Sequence, residues 1–318
     1  MDLKKLAEEI VEGRRLRRGE DFSWFKDCDL SSLCEEADFI REKLCGNHVD
    51  LCSIINGRSG RCSENCKFCA QSAYNHTNCE VYDFLDEEKI IKAAKENQDE
   101  GIHRFAIVTA GKALTGEEFQ KALSAYKKMH ESLKIDLCAS MGFLTREQLL
   151  QLKEAGVRNY HHNIETSRRN FPNICTTHSY EMKINTLKLV KEVGLRVCSG
   201  GIIGMGESFE DRIDMALSLS EIEVDSIPIN ILSPIKGSPF ENLPSLKEDE
   251  VLRTVAMFRY FNPTAMIRLA AGRCHLTNGG ERAFKSGANA TITGNMLTTT
   301  GTSIQSDKKL LEKLGRTI

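Results

Sequence analysis

The chain has 318 residues, 41% apolar and 28% charged, and its 43 basic residues against 45 acidic leave a net charge of −2. That length suits one large α/β domain or two ordinary ones, and the balance excludes a disordered chain and a surface built to attract polyanions. The opening from Met1 to Glu9 puts acids and lysines where an export signal needs an apolar core, and no run approaches 18 apolar residues. A cytoplasmic protein without membrane or nucleic-acid partners is expected.

Apolar positions Leu6, Ile10 and Val11, then Phe39, Ile40 and Leu44, fall at helical spacing, so residues 1–46 read as a helical extension ahead of a main body at 47–318. In that body short β-branched or apolar runs alternate with charged amphipathic stretches. The runs predict strands at 50–55, 103–109, 134–140, 159–165, 196–203, 226–232, 266–272 and 290–294. Helices are expected between them, near 86–100, 115–131, 145–155, 179–193, 209–222, 247–260 and 280–287. With 6 prolines and no linker or charge block, nothing divides the body. Eight strand–helix units predict a TIM-type (β/α)8 barrel, with an open doubly wound sheet as the competing arrangement. Either fold gathers function at the carboxyl ends of its strands.

Cysteine is the outlier, with 12 copies. In a chain this long without an export signal, thiols are metal ligands, catalytic groups or small core residues before they are disulfides. Cys62, Cys66 and Cys69 follow the first strand in a C-x3-C-x2-C run of loop composition. A tetrahedral zinc site would need a fourth ligand, for which His76 or Cys79 stands near in sequence. A cubane iron–sulfur cluster would instead have three irons held by protein and the fourth left open.

This run, with Phe68 just before the last cysteine, resembles the signature of the radical S-adenosylmethionine (SAM) enzymes. The resemblance implies a 4Fe–4S cluster whose open iron is chelated by SAM, and a 5′-deoxyadenosyl radical that removes hydrogen from unactivated carbon. Further words narrow it. Cys69-Ala70-Gln71-Ser72, the stretch from Asn159 to Ser167, the stretch from Val197 to Glu207, and Gly287-Ala288-Asn289 running to Leu297-Thr298-Thr299 resemble the biotin synthase family from about residue 40 to 315.

That resemblance implies conversion of dethiobiotin to biotin, with two SAM molecules consumed and sulfur drawn from a second cluster deeper in the barrel. It also implies an electron donor such as flavodoxin or ferredoxin, and a homodimer. In the fourth strand His161, Asn163 and Glu165 share one face by alternation. By resemblance Asn163 and Glu165 bind SAM, Glu165 standing where the family usually has Asp. Ile202 and Gly204 match its adenine-side strand. Asn230, Thr298 and Thr299 match contacts to dethiobiotin, and His161 stands where the family usually has a substrate-contacting Asn. On residue type alone each is also an ordinary polar or glycine-rich strand end.

The pattern departs at the second cluster. Family members hold a 2Fe–2S centre with three cysteines and an arginine; Cys138, Cys198 and Arg268 match, but the remaining cysteine is Ala106. Cys274, of the same parity as Arg268 if the strand continues, is the candidate replacement. Cys138, Cys198 and Cys274 would then suit a 4Fe–4S or sulfide-bearing cubane better than a two-iron centre, with Arg268 a charged neighbour or a ligand. Cys28, Cys34, Cys45, Cys52, Cys79 and Cys175 show no metal-ligand grouping in sequence. Two rivals stay open: a radical SAM relative without sulfur insertion, such as a hydrogenase maturase or a mutase, which Ala106 favours, and a zinc-stabilised binding module.

Overall fold

The computed structural model describes residues 1–294, 297 and 301–318. Among these, nine strands form one all-parallel sheet: β1 (Asp50–Arg58), β2 (Arg104–Thr109), β3 (Asp136–Ser140), β4 (Val157–His161), β5 (Arg196–Cys198), β6 (Gly201–Ile203), β7 (Ser226–Ile231), β8 (Met266–Leu269) and β9 (Ala290–Ile292). Their order is β5-β4-β3-β2-β1-β9-β8-β7-β6, and a further pairing of β5 with β7, at Cys198 and Ser226, closes the sheet on itself. β5 and β6 are halves of the single predicted run 196–203. The fold is therefore the expected eight-position (β/α)8 barrel, not an open doubly wound sheet.

The fifth strand breaks for a local reason. The Gly200 carbonyl leaves the ladder to accept the N–H groups of Ile164 at 3.0 Å and Glu165 at 3.2 Å. A Cβ at Gly200 would lie 2.0 Å from the Pro228 carbonyl oxygen, so only glycine lets β7 pass this close. The fourth run is also shorter than predicted: β4 ends at His161, and the chain runs on through Glu165, whose φ is +70°.

Alternation along the strands divides core from cavity. Leu51, Phe105, Ile107, Leu137 and Ala139 point outward into the hydrophobic core beneath the helices, whereas Cys52, Ile54, Arg104, Ala106, Cys138 and Ser140 line the interior. The outer layer includes the helices Glu87–Asp99, Gly116–Ser132, Arg146–Glu154, Tyr180–Glu192, Phe209–Ile222 and Glu248–Phe261. Thr145 with Gln148, and Ser208 with Asp211, cap two of them reciprocally, contributions of about 1 kcal/mol each.

The amino-terminal helices Leu3–Val11, Trp24–Asp27 and Leu30–Cys45 share the barrel's core. Phe22 meets Phe261 edge-on at 4.9 Å, and Phe25 meets Tyr260 at 5.5 Å. A carboxyl-terminal helix, Ile304–Lys313, was not among the predicted elements. Beyond it the Thr317 carbonyl accepts the Val49 N–H at 2.8 Å, and the Thr317 N–H bonds Asn47, so the chain's last turn plugs the entry to β1. Among the described residues no helix is long and apolar enough to cross a membrane.

Candidate active site

A cavity of about 400 Å³ opens at the carboxyl ends of the strands and reaches down the barrel axis. Cys62, Cys66 and Cys69 line its mouth, with Phe68 beside them. Their loop is held by its own backbone: Cys62 N–H bonds the Gln71 carbonyl at 2.9 Å, and Ala73 N–H returns to the Cys62 carbonyl at 2.9 Å. Asn75 Nδ2 donates to the carbonyls of Cys66 and Cys69, at 3.2 and 2.9 Å, which leaves the thiols free of loop-forming work. Burial pushes the Cys69 thiol up to about 11, so without a cation beside it this sulfur holds its proton near pH 7. His76 and Cys79, the sequence candidates for a fourth zinc ligand, do not line this cavity.

Asn163, Glu165 and Ile202 line the next level, as expected. Asn163 Oδ1 accepts the Gly200 N–H at 2.9 Å, so its amide NH2 is what it offers the cavity. Glu165 Oε2 is buried with no partner among the described residues, while its other oxygen is 3.6 Å from Lys183 Nζ. Gly204 is different. It lies outside the lining, in a left-handed turn whose N–H bonds Glu207 at 2.8 Å, and serves the strand exit rather than the cavity. Lys183, which the sequence reading passed over, is buried, lines the cavity and lies 5.7 Å over the Phe143 ring. It sits mid-helix among apolar neighbours, where lysine reads as a solvated face.

Deeper, thiols come from three strands. Cys52 of β1, Cys138 of β3 and Cys198 of β5 all line the cavity. The hydrogen bond shared by Cys52 and Cys138 pulls the Cys52 thiol below its ordinary value, against burial and with help from Arg268 and Arg104. The same bond, with burial, pushes Cys138 up, and burial pushes Cys198 up to about 11. Beneath them Asp50 is buried between two guanidiniums: Arg104 Nε donates to it at 2.9 Å, and Arg268 Nη2 bonds its other oxygen. One carboxylate against two guanidiniums leaves one unbalanced positive charge facing three thiols.

Cys274 is not part of this set. Gly272, at φ +80°, ends the extended backbone three residues after β8, and a short 3-10 turn over Arg273–His275 carries Cys274 out to the exposed surface. The parity that linked it to Arg268 is lost at that turn; the thiol that lines the cavity beside Cys138 and Cys198 is that of Cys52. Ala106 stands in register with Cys138 and Ile54, its methyl on the cavity wall. Arg268 is fully engaged by protein, donating also to the Thr291 carbonyl at 2.9 Å and to Ser226 Oγ at 3.3 Å.

His161 lines the cavity with Nδ1 3.3 Å from Cys198 Sγ, and burial lowers its pKa, so it is neutral near pH 7. Asn230 also lines it, and spans two strand ends: its Nδ2 donates to the Gly201 carbonyl at 3.1 Å and its Oδ1 accepts the Ala271 N–H at 3.2 Å. Thr298 and Thr299 lie outside the described residues.

Residues 58–219 match the family model of the radical SAM superfamily, and residues 228–317 match the biotin and thiamin synthesis associated domain. The biotin synthase of Alkaliphilus metalliredigens is 60% identical over 315 residues, covering 99% of each chain. That of Clostridium beijerinckii is 59% identical over 316 residues, covering 99% of this chain and all of its own. The chain belongs to the biotin synthase family.

Solved structures bear on the fold. Methylornithine synthase superposes with a TM-score of 0.84 at 20% identity, covering 98% of this chain and 96% of its own, and the hydrogenase maturase HydG with 0.81 at 16%, covering 99% and 74%. The rival readings, a radical SAM relative without sulfur insertion and a zinc module, give way to the biotin synthase family at this level of identity. Within that family frame Cys52 is the residue sequence reasoning missed. Its parity within β1 matches Ile54 and Asp50, but nothing in the run says which parity faces inward until β1 is laid beside β2.

Proposed function

We propose that this chain inserts sulfur between two saturated carbons of dethiobiotin to give biotin, using two iron–sulfur clusters held in one barrel cavity. The observation that carries the reading is the second three-thiol set, Cys52, Cys138 and Cys198, lining the same cavity as the Cys62, Cys66 and Cys69 loop. The donor chemistry fits: each set offers three sulfurs, and a four-iron cubane so held keeps one iron open to a non-protein ligand. The unbalanced charge of Arg104 and Arg268 over Asp50 favours an anionic centre at the deeper set.

When bound, these clusters and SAM supply the radical that removes hydrogen and the sulfur that is inserted. Glu165, with one unpartnered buried oxygen, accepts the ribose hydroxyls of SAM, and Ile202 gives apolar surface to its adenine. Lys183 has ammonium hydrogens to spare beyond Glu165 and takes the methionyl carboxylate. Asn163 directs its amide NH2 at the same ligand. His161 and Asn230 face dethiobiotin between the two thiol sets, and Thr298 and Thr299 are matched to substrate contacts by family resemblance alone. The auxiliary centre is of 4Fe type, with or without an added sulfide, and Arg268 is its charged neighbour. The reading includes an external one-electron donor of the flavodoxin or ferredoxin kind, and a homodimer.

The test is anaerobic reconstitution with iron and sulfide, followed by incubation with dethiobiotin, SAM and a low-potential reductant. Biotin is expected, with 5′-deoxyadenosine formed alongside it. Formation of 5′-deoxyadenosine without biotin would overturn the sulfur-insertion reading and return the chain to generic radical chemistry.

A further inference from the structure

Cys175 has no part in the function above. It lies behind the cluster loop, outside the cavity lining, and is 3% exposed. Yet its sulfur, the Cys66 sulfur and an imidazole nitrogen of His178 all lie within 4.8 Å of one another. We propose that, before a cluster is installed, Cys66, Cys175 and His178 bind a single divalent ion of the zinc class, which must leave before Cys66 can take its place on the iron–sulfur cluster.

The geometry is close to what such an ion needs. A tetrahedral site with metal–sulfur bonds of about 2.3 Å and metal–nitrogen bonds of about 2.1 Å has edges of about 3.5–3.8 Å. Cys175 Sγ and His178 Nδ1 are already 3.4 Å apart. Glu64 Oε2 is hydrogen-bonded to that nitrogen at 2.5 Å and stands outside the three-donor group, so ion binding replaces that hydrogen bond and leaves the fourth position to a non-protein ligand. A set of two sulfurs and one imidazole selects soft, tetrahedral ions.

The surroundings hold the donors in place through hydrogen bonds that an ion would replace at the Cys175 thiol and at His178 Nδ1. Asn65 Oδ1 accepts from Cys175 at 3.2 Å and from the backbone N–H groups of Thr176 and Thr177, at 2.9 and 3.2 Å. Thr177 Oγ1 donates to Glu64 at 2.9 Å. These contacts tie the cluster loop to the segment after the short helix Phe171–Ile174, and the Lys67 N–H adds a bond to the Ile174 carbonyl at 3.0 Å. His178 is buried, and its Nε2 has no partner among the described residues. An ion here would pin the loop while Cys62 and Cys69 wait, and because Cys66 belongs to both sets, the ion and the cluster exclude one another.

The test uses the full chain, freed of clusters and metals under reducing, anaerobic conditions, in a Cys138→Ser/Cys198→Ser background that leaves a single thiol of the deeper set. Cobalt(II) is the probe. Roughly one ion per chain is expected, with tetrahedral d–d bands, thiolate charge transfer, and imidazole nitrogen in its X-ray absorption shell. Adding Cys175→Ser or His178→Ala loses that ion, whereas adding Cys62→Ser with Cys69→Ser keeps it. Retention in the Cys175→Ser protein, loss in the Cys62→Ser/Cys69→Ser protein, or an all-sulfur shell overturns the proposal. If Cys175→Ser does not fold, the loop double variant and the shell composition decide alone. A cluster-loaded protein is expected to take up no cobalt here; uptake with the cluster intact also overturns the exclusion.

Discussion

Replacing Cys52 by alanine separates the two thiol sets. Cys52 is 8% exposed and loses only its sulfur in the exchange, a change expected to cost about 1 kcal/mol against the usual 5–15 kcal/mol of a folded protein. The barrel therefore stays folded, and the iron count reads ligation directly. Two cubanes correspond to about eight irons per chain, and the variant should retain about four. Biotin formation should fall at least a hundredfold, while SAM cleavage to 5′-deoxyadenosine continues, because Cys62, Cys66 and Cys69 are untouched. Iron and sulfide analysis with Mössbauer spectroscopy, run beside product assays, measures both arms. Cys274→Ala is the matched control and should behave as the parent, since Cys274 is exposed beyond the turn at Gly272. Eight irons and undiminished biotin in Cys52→Ala, or four irons lost from Cys274→Ala, would refute the assignment.

Asp50→Asn leaves two buried guanidiniums without their shared carboxylate and should cost about 3–5 kcal/mol in chemical denaturation; a loss under about 1 kcal/mol contradicts a charge balance centred on Asp50. Burial alone would raise the Asp50 pKa, but Arg268 and Arg104 outweigh it and hold it below the ordinary value. Its stabilising contribution is thus present above the unfolded-state pKa near 3.9 and is lost as pH falls through the folded value, so the acid arm of the parent's stability curve should be steeper than that of Asp50→Asn. Lys183→Met should raise the KM for SAM about tenfold to a hundredfold, the worth of one charge-assisted hydrogen bond, with Lys183→Arg restoring most of it; an unchanged KM removes Lys183 from the SAM site. Gly200→Ala places a methyl 2.0 Å from the Pro228 carbonyl and should destabilise by about 1–3 kcal/mol, read from the denaturant midpoint.

The barrel was legible because each outward strand face carries apolar residues at period two, as Phe105 and Ile107 do, while the helices between repeat near 3.6. Strand ends were less so. The runs 159–165 and 266–272 overran because Glu165 and Gly272 adopt left-handed conformations that hydropathy does not encode. Parity carried past Gly272 places Cys274 in the cavity, where the turn instead takes it to the surface. The cluster loop was plain because its three ligands are local in sequence. The deeper set draws Cys52, Cys138 and Cys198 from three separate strands, and only lateral pairing reveals that they meet. Cys175 and Lys183 were hidden for the same reason, being residues of helical or turn composition brought against the loop by tertiary packing alone.

The pairing of β1 with β9 has a bearing on how the molecule matures. Asp50 is made 240 residues (290 − 50) before its partner Ala290, and at about 5–20 residues per second roughly ten to fifty seconds separate them. Throughout that interval the cysteine loop is already outside the ribosome while the wall that encloses it does not yet exist. Iron and sulfide delivered within that interval would meet an unroofed peptide, whereas once β9 has paired with β1 they would enter a walled cavity through its open upper rim.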